Sequence, residues 1–315
     1  MKTWLKTALI SGVLCCAVGA VLAAAGMLTG GKQYVQAADI NTLRGDARKA
    51  DSDSLAVLDK QKIPNVQALN LALDNLDLKI VPSDDDCCYL SYRIAATSGE
   101  APLTYTVQNG TLHLKENDAV QPQVHIDVDF LTDFLTFGRL PEDDDDTQTV
   151  ILSVPKSQLK QLDIRSSYGD ISMRGISAAR GSMHCENGEI SLKNCQLSQF
   201  TLSNDYGDID LERCTLDTAD ISLYNGEFDA QETAFSGENS ITSSYGDVSV
   251  SDTLANLQAL TIQASTAYGE ISVPDGLRAQ IRQTTDDELT DYCHSGTGGS
   301  LRVQADDGDI ELSDD

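Results

Sequence analysis

The sequence predicts an all-β protein: a single-stranded parallel β-solenoid (a β-helix or β-roll) with coils of about 19 residues, preceded by one N-terminal transmembrane helix. Three observations predict this architecture. A glycine followed by an acidic residue recurs at a nearly constant spacing in the second half of the chain. Apolar residues lie at fixed distances from that glycine, and an uncharged apolar run lies near the N-terminus.

The repeat consists of turns in which a glycine follows Tyr, Asn or Asp and precedes Asp or Glu. The turns are Tyr168-Gly169-Asp170, Asn187-Gly188-Glu189, Tyr206-Gly207-Asp208, Asn225-Gly226-Glu227, Tyr245-Gly246-Asp247, Tyr268-Gly269-Glu270 and Asp307-Gly308-Asp309. Successive glycines are separated by 19, 19, 19, 20, 23 and 39 residues. A period near 20 residues is typical of a solenoid, in which each coil stacks on its neighbours.

Apolar residues form four columns when the coils are aligned on the glycine. The columns lie two, four, nine and fourteen residues after it, with polar residues between them. The first column contains Ile171, Ile190, Ile209, Phe228 and Val248. Each coil therefore buries its apolar columns inward, with adjacent strands about 4.8 Å apart. The glycine is expected because the corner demands a conformation that is costly for a residue with a Cβ.

The first residues are typical of a membrane-insertion signal. Lys2 and Lys6 precede an uncharged run at 7–31, which is long enough to cross a bilayer core of about 30 Å as a helix. We interpret residues 1–6 as a cytoplasmic stub and 7–31 as a transmembrane anchor or uncleaved signal. The chain is then a single-pass protein of the cell membrane, with its solenoid outside the cell. A cleaved signal peptide remains open, because Val35-Gln36-Ala37 offers a small-residue cleavage pattern.

A stalk or linker is predicted between the anchor and the strands. Residues 32–62 are mixed in charge and show little periodicity, and a short helix is expected around Ser54 to Lys60. Alternating apolar residues then predict strands over 63–155, the N-terminal β-rich part of the solenoid. The repeat solenoid proper is assigned to 156–315.

Two features interrupt the N-terminal β-rich part. The Asn109-Gly110 pair lies between strand-like segments and predicts a tight hairpin turn. Residues 126–147 contain a cluster of Phe and Leu followed by an acidic run, and they break the alternation. We interpret this segment as an insertion in the solenoid.

The segments Val154-Pro155-Lys156, Leu162-Asp163-Ile164 and Ser167-Tyr168-Gly169-Asp170-Ile171 resemble the putative-adhesin family of bacterial β-strand-repeat proteins, domain of unknown function 4097. The resemblance extends over about residues 63–315. It implies a location on the bacterial envelope, where some relatives accompany stress-sensing systems. It supplies no catalytic residues, because none are established for the family.

Composition excludes several kinds of partner. The chain has 22 Lys and Arg against 49 Asp and Glu, a formal net charge of −27. Such a surface repels phosphate backbones, so no nucleic-acid binding is expected. The cysteines and histidines show none of the spacings typical of a metal site.

The residues before the glycines form a candidate binding strip. If their side chains face outward, the tyrosines can stack on sugar rings or on a flat protein surface; if they face inward, they cap the edge of the core. Both interpretations remain open at this point. The strip consists of Tyr168, Tyr206, Tyr245 and Tyr268, with Asn187 and Asn225 in the intervening coils.

The acidic residues after the glycines form a second row. Carboxylates stacked at strand spacing repel one another, and a calcium ion bound between them would relieve that repulsion. The alternative, which we favour, is that the acidic residues are turn formers whose side chains lie in water, so that no cofactor is needed. The candidate ligands are Asp170, Glu189, Asp208, Glu227 and Asp247, with Glu270 and Asp309 further along the row.

Cys195 and Cys214 lie 19 residues apart in one column, seven residues after their glycines. Their separation would suit a disulfide, but side chains of neighbouring parallel strands point the same way. Ile176 precedes them in that column, which favours two buried free thiols packed as small apolar side chains.

Two function classes follow. The first is a non-catalytic, membrane-anchored surface module, an adhesin, envelope sensor or scaffold, that binds an envelope protein or glycan through a solenoid face. The second is a solenoid polysaccharide lyase or hydrolase, which needs carboxylates that converge with Arg or Lys on one lateral face. The basic residues of the repeat share no column, so we expect no enzyme.

Overall fold

The computed structural model of the protein describes residues 55–85, 87–96, 100–120, 148–280 and 290–314. They belong to one compact unit, Ser54–Asp315. The predicted stub at 1–6, the anchor at 7–31 and the insertion at 126–147 lie outside the described residues. Within the described residues, no helix combines the length and apolar character needed to cross a membrane.

The N-terminal part of the unit contains seven strands. They are β1 (Leu55–Ile63), β2 (Ala68–Leu73), β3 (Asp77–Pro82), β4 (Cys88–Ala95), β5 (Leu103–Gln108), β6 (Thr111–Glu116) and β7 (Thr149–Val154). The predicted hairpin at Asn109-Gly110 is confirmed: β5 and β6 pair antiparallel, with Gln108 opposite Thr111. Asn109 and Gly110 have φ values of 51° and 80°, the left-handed conformation that a two-residue hairpin of this kind requires.

The central repeats contain twelve strands. They are β8 (Gln161–Ser166), β9 (Ile171–Arg174), β10 (Ser177–Ala178), β11 (Gly181–Asn187), β12 (Ile190–Lys193), β13 (Gln196–Tyr206), β14 (Ile209–Glu212), β15 (Thr215–Asn225), β16 (Phe228–Gln231), β17 (Ala234–Ser236), β18 (Glu238–Tyr245) and β19 (Val248–Asp252). Each coil has a short strand just after its glycine and a later strand that ends just before the next glycine.

The C-terminal part adds five strands and two short helices. They are α1 (Leu254–Ala259), β20 (Thr261–Tyr268), β21 (Ile271–Ser272), a 3-10 helix (Asp275–Gln280), β22 (Asp291–His294), β23 (Ser300–Asp307) and β24 (Ile310–Asp314). Thr253 caps the N-terminus of α1, where its side chain accepts a hydrogen bond from the N–H of Asn256.

The described strands form two large sheets. Sheet A has 11 strands in the order β1-β4-β7-β3-β9-β12-β14-β16-β19-β24-β21. Sheet B has 13 strands in the order β22-β20-β23-β18-β15-β13-β11-β8-β2-β6-β5, with β10 and β17 paired beside β13 and β15. One hydrophobic cluster contains the buried residues of both sheets. The predicted all-β, solenoid-like repeat fold is thereby confirmed.

The coils stack in register, as the aligned columns predict. Ile209 of β14 lies between Ile190 of β12 and Phe228 of β16, one coil away on either side. All four column positions of this coil are buried: Ile209, Leu211, Leu216 and Ile221 are at most 2% exposed. The apolar columns therefore form the core, because each inward side chain meets its equivalents in the neighbouring coils.

The coil bends at two places besides the glycine. Six residues after the glycine, Asn194 and Arg213 have φ values of 54° and 52°. Eleven residues after it, Gln199 and Thr218 have φ values of 46° and 62°. Because these left-handed residues lie at equivalent positions, successive coils bend in the same way. The strands on both sides of each bend therefore stay in register.

The coils at both ends are not stacked in chain order. In sheet B, β23 lies between β18 and β20, and in sheet A, β24 lies between β19 and β21. The last coil of the chain therefore lies between the two coils that precede it, and β22, which comes before it in the chain, lies at the end of sheet B. At the other end, β6 and β7 lie outside β2 and β3.

The ends of the stack depart from the predicted parallel solenoid, and only the β5–β6 hairpin at Asn109-Gly110 was expected there. Four pairs are antiparallel: β1 with β4, β4 with β7, β5 with β6, and β20 with β22. Antiparallel neighbours can be joined by short connections, whereas a parallel neighbour needs a whole coil. The terminal strands therefore cover the ends of the stack without completing another coil.

The predicted helix around Ser54 to Lys60 is also wrong. Residues Leu55–Ile63 form β1, which extends sheet A into the segment assigned to the stalk at 32–62. Its pairing with β4 shifts in register between Leu58 and Gln61, where Lys60 has a φ of 44°. Pairing with β4 overrides the local preference, because strand formation depends on cross-strand neighbours.

The two stacked cysteines are free and buried, as the core interpretation predicts. The Cys195 Sγ lies 3.6 and 3.4 Å from the carbonyl oxygens of Met173 and Lys193, either of which can accept its one hydrogen, and the Cys214 Sγ lies 3.3 Å from that of Leu192. The hydrogen bond with Cys214 and burial raise the pKa of the Cys195 thiol. Both residues thus behave as small core side chains.

Candidate functional site

The glycine of each turn is required by the close approach of neighbouring coils. A Cβ on Gly226 would lie 2.1 Å from the carbonyl oxygen of Gly207, and one on Gly169 would lie 2.1 Å from that of Leu76. No Cβ fits at such a distance. The predicted reason, backbone conformation, is incomplete: Gly226 has a φ of 154°, but Gly169 has no positive φ. The stacked glycines place the residues on either side of them in two continuous outer rows.

We call the residues directly before the glycines the tyrosine row. In spatial order it consists of Tyr168, Asn187, Tyr206, Asn225, Tyr245, Asp307 and Tyr268. The order differs from that in the chain, because the last coil places Asp307 between Tyr245 and Tyr268. A tyrosine therefore occurs at every second coil along the whole row.

The four tyrosines of the row face outward. Tyr168 is 65% exposed, Tyr206 54%, Tyr245 51% and Tyr268 80%. The interpretation that they cap the core edge is wrong for all four. A large aromatic side chain left in water forgoes the favourable free energy that burial would provide. A row of such side chains therefore marks a surface that is available for contact.

A fifth tyrosine, Tyr224, packs against two tyrosines in the middle of the row. Its ring centroid lies 5.8 Å from that of Tyr206 and 5.6 Å from that of Tyr245, with interplanar angles of 77° and 81°. Edge-to-face contacts of this kind hold both neighbours in place. Tyr224 lies two residues before its glycine, in a coil whose row residue is Asn225, so alignment on the glycine leaves it outside the predicted strip.

The asparagines are exposed between the tyrosines. The Nδ2 of Asn187 donates to the backbone carbonyl oxygen of Ser167 at 3.2 Å, which fixes the amide against the neighbouring coil. Asn225 lies at the equivalent position, opposite Tyr206 on one side and Tyr245 on the other. Each amide carries hydrogen-bond donors and an acceptor at a row position that neighbours tyrosines in the adjacent coils.

We call the residues directly after the glycines the acidic ladder. Its aspartates link the coils: the Oδ1 of Asp170 accepts from the N–H of Glu189, and that of Asp208 accepts from the N–H of Glu227, both at 2.8 Å. Asp247 and Asp309 accept in the same way from the next coil in the stack. Within the described residues the Glu189 and Glu227 side chains make no such bond. The ladder aspartates are therefore turn formers that each satisfy one backbone donor.

A metal-binding arrangement is absent from the part of the chain that the structure describes. It holds no group of three or more His, Cys, Asp or Glu side chains placed to bind one ion. The candidate calcium ligands Asp170, Asp208 and Asp247 point an oxygen at a backbone N–H instead.

The family model Toastrack DUF4097 matches residues 66–313, nearly the whole described unit. The chain belongs to this family. The expected resemblance is thereby confirmed, and membership is consistent with a surface or adhesin-like module. No functionally curated protein matches the sequence.

One solved structure is similar in outline to this Toastrack protein. It is a putative cell adhesion protein from Clostridium sporogenes ATCC 15579, which is 11% identical and covers 83% of this chain and 99% of its own. The TM-score is 0.34. A likeness at that level supports no inference about ligands or partners.

A small acidic cavity of about 310 Å³ lies on the outer face of sheet A of the Toastrack unit. Burial raises the pKa of the Glu189 carboxyl, and its hydrogen bond and repulsion with Asp210 raise it further. Burial also raises the pKa of Asp210, as do the neighbouring Asp229 and Asp208. Lys193 also lines this cavity, and its Nζ lies 3.0 Å from Glu212. Carboxylates and a lysine therefore converge on one lateral face, which the sequence analysis did not foresee.

A larger groove of about 610 Å³ crosses the outer face of sheet B. It runs along one registered row of polar side chains on five neighbouring strands: Thr201, Asp220, Ser240, Arg302 and Gln263. Neither this groove nor the acidic cavity is lined by a residue of the tyrosine row. The tyrosine row, the acidic cavity and the groove thus share no residue.

Proposed function

We propose that this Toastrack protein is a non-catalytic, membrane-anchored extracellular surface module that binds an envelope protein or glycan through its tyrosine row. The observation that carries the proposal is the row of half-exposed tyrosines at every second coil. Eight large hydrophobic side chains are exposed in the described residues, and five of them are Tyr168, Tyr206, Tyr224, Tyr245 and Tyr268. Exposed hydrophobic side chains that are concentrated on one edge indicate a contact surface, whereas singly scattered ones do not.

Packing does not require these tyrosines. Asn187 and Asn225 occupy the same position in intervening coils, and Asp307 occupies it in the last coil, without a change in the strand pairing around them. A position that accepts Tyr, Asn and Asp is not fixed by the core. The tyrosines are therefore explained by a partner rather than by the fold, since tyrosine supplies a large contact area with a polar tip.

The proposed location follows from the N-terminus. Lys2 and Lys6 before the uncharged run at 7–31 favour a cytoplasmic N-terminus and an external solenoid. The net charge of −27 opposes polyanionic partners such as nucleic acids. The expected partners are therefore neutral or basic components of the envelope.

The test compares the full-length protein with a variant in which Tyr168, Tyr206, Tyr245 and Tyr268 are replaced by alanine. Both are mixed with purified wall glycan and with purified envelope proteins, and bound protein is measured by sedimentation and by surface plasmon resonance. We expect saturable binding by the wild type and its loss in the variant. Equal binding by the two proteins would contradict the proposal. Circular dichroism and thermal melting establish that the variant is folded.

A second candidate, a glycan hydrolase or lyase, is favoured by the acidic cavity. Glu189, Asp210 and Lys193 meet the requirement that carboxylates and a basic side chain share one lateral face. The arrangement differs from that of a glycosidase in one respect. The Glu189 and Asp210 carboxyls are near enough to shift each other's pKa, whereas glycosidase carboxylates stand about 5–9.5 Å apart on either side of the bond to be cleaved.

An assay for new reducing ends and for unsaturated sugars decides between the two candidates. Wall glycan is incubated with the wild type, with Glu189→Gln and with Asp210→Asn. The binding-module proposal expects no turnover by any of the three proteins. Turnover by the wild type that both substitutions abolish would establish the enzyme instead.

A further inference from the structure

The tyrosine row has a regular spacing that the chain order hides. Neighbouring strands lie about 4.8 Å apart, so tyrosines at every second coil are about 10 Å apart. Along the chain, Tyr245 and Tyr268 belong to consecutive glycine turns, which would break the alternation. The inserted last coil restores it, because Asp307 pairs with both. The four tyrosines then span about 29 Å in equal steps.

We propose that the tyrosine row binds a neutral linear glycan that lies along the solenoid axis, with one disaccharide unit over every two coils. This inference rests on the proposed function and names its ligand. In an extended β-linked glycan, alternate sugars present the same face, and one disaccharide is close in length to two coils. Each tyrosine therefore meets an equivalent sugar ring, so the contacts add along the chain.

The chemistry of the row suits sugars. The carbon-bound hydrogens on one face of a pyranose ring form an apolar patch that packs on an aromatic ring, while the hydroxyls around its rim need hydrogen-bond partners. Asn187 and Asn225 alternate with the tyrosines along the row and are exposed, and next to Asn225 the Tyr224 ring lies between Tyr206 and Tyr245. Their amides both donate and accept, as sugar hydroxyls do. The edge-to-face contacts of Tyr224 hold Tyr206 and Tyr245 in place before a ligand arrives, which lowers the entropy cost of binding.

The spacing and charge argue against other linear ligands. An extended peptide strand repeats one face about every 7 Å, which does not match the row. A polyproline II peptide repeats about every 9 Å, but such peptides dock in aromatic-lined grooves. The row lies outside both the groove on sheet B and the acidic cavity on sheet A. Polyanionic glycans are opposed by the acidic ladder, which runs one residue beyond the glycines.

The experiment measures the affinity of the full-length protein for β-1,4-linked N-acetylglucosamine oligomers of two, four, six and eight sugars by isothermal titration calorimetry. Affinity is expected to rise with each added disaccharide up to eight sugars, because each reaches another tyrosine. Tyr206→Ala is expected to weaken binding of the octamer roughly 3- to 10-fold, the effect of losing one aromatic contact. Arg302→Ala, in the separate groove, is the matched control and should leave the affinity unchanged.

Three outcomes would overturn the inference. The first is an affinity that does not depend on oligomer length. The second is binding of a decaproline peptide by the row in place of the oligomers, which would identify a protein ligand of the polyproline II type. The third is a loss of octamer binding in Arg302→Ala with none in Tyr206→Ala, which would move the site to the groove. If the quadruple alanine variant still loses binding to whole wall material, the proposed function stands and only the choice of ligand fails.

Discussion

The core side chains and the surface side chains of the same coils repeat with different periods. Inside, the central coils repeat the same apolar columns, and Ile190, Ile209 and Phe228 lie side by side. Outside, the turns alternate between Tyr-Gly-Asp and Asn-Gly-Glu from residue 168 to residue 227. Each coil packs on identical neighbours, which explains a one-coil period in the core. Packing alone gives no reason for a two-coil period on the surface, and the proposed ligand would account for it.

The largest expected effect is a difference in stability between substitutions at two consecutive residues of β13. Leu202 is fully buried in a core column, and Thr201 next to it faces outward. Leu202→Ala should lower the free energy of unfolding by about 2–5 kcal/mol, because it removes apolar burial and leaves a cavity. Thr201→Ala should change it by no more than about 0.5 kcal/mol. Urea denaturation followed by circular dichroism measures both, and similar losses in the two variants would undo the distinction between inside and outside.

The acidic ladder offers a smaller test within the outer surface. Asp208 accepts the N–H of Glu227 from the next coil, whereas the Glu227 side chain makes no equivalent bond in the described residues. Asp208→Ala should cost about 0.5–1.5 kcal/mol, the value of one hydrogen bond. Glu227→Ala is the matched control and should be close to neutral.

Thermal melting in calcium and in a chelator extends this test to the calcium alternative. If the ladder aspartates are turn formers, calcium should leave the melting temperature of the wild type unchanged. A calcium-dependent rise that Asp208→Ala abolishes would restore the metal site.

The smallest expected effect concerns pH. Burial raises the pKa of both Glu189 and Asp210 in the folded protein. The folded state therefore binds more protons than the unfolded state near and above the ordinary carboxyl pKa, so this pair makes stability fall as pH rises through that range. Asp210→Asn should raise the melting temperature at pH 7 and flatten its fall between pH 4 and pH 7. Glu238→Gln, at an exposed acidic position, serves as control, and equal shifts in both variants would show a general charge effect.

The repeat itself could be predicted from the sequence because its cause is local. The glycine spacing and the apolar columns are present in every coil, and the hairpin at Asn109-Gly110 depends on two residues with positive φ. The exposure of the tyrosines was not predictable, since a residue beside a turn can face either way. Tyr224 was missed because it lies one position outside the aligned row.

The order of the coils could not be predicted either. Nothing in β23 specifies whether it pairs with β18 or lies beyond β20, because all parallel coils present the same register and the same columns. The helix expected around Ser54 to Lys60 failed for a related reason, since β1 forms through its pairing with β4, a partner more than twenty residues away. Contacts between distant segments decide such cases.

The central claim is that the spacing of the tyrosines in the row matches that of the ligand. One pair of substitutions tests it without changing the amino-acid composition. Tyr168→Asn combined with Asn187→Tyr keeps four tyrosines in the row and leaves the Tyr206–Tyr224–Tyr245 contacts in place, but it moves one tyrosine out of the two-coil period. Calorimetry with the eight-sugar oligomer should show affinity reduced roughly 3- to 10-fold, as for the loss of one aromatic contact. An affinity equal to that of the wild type would contradict the two-coil match between the row and its ligand.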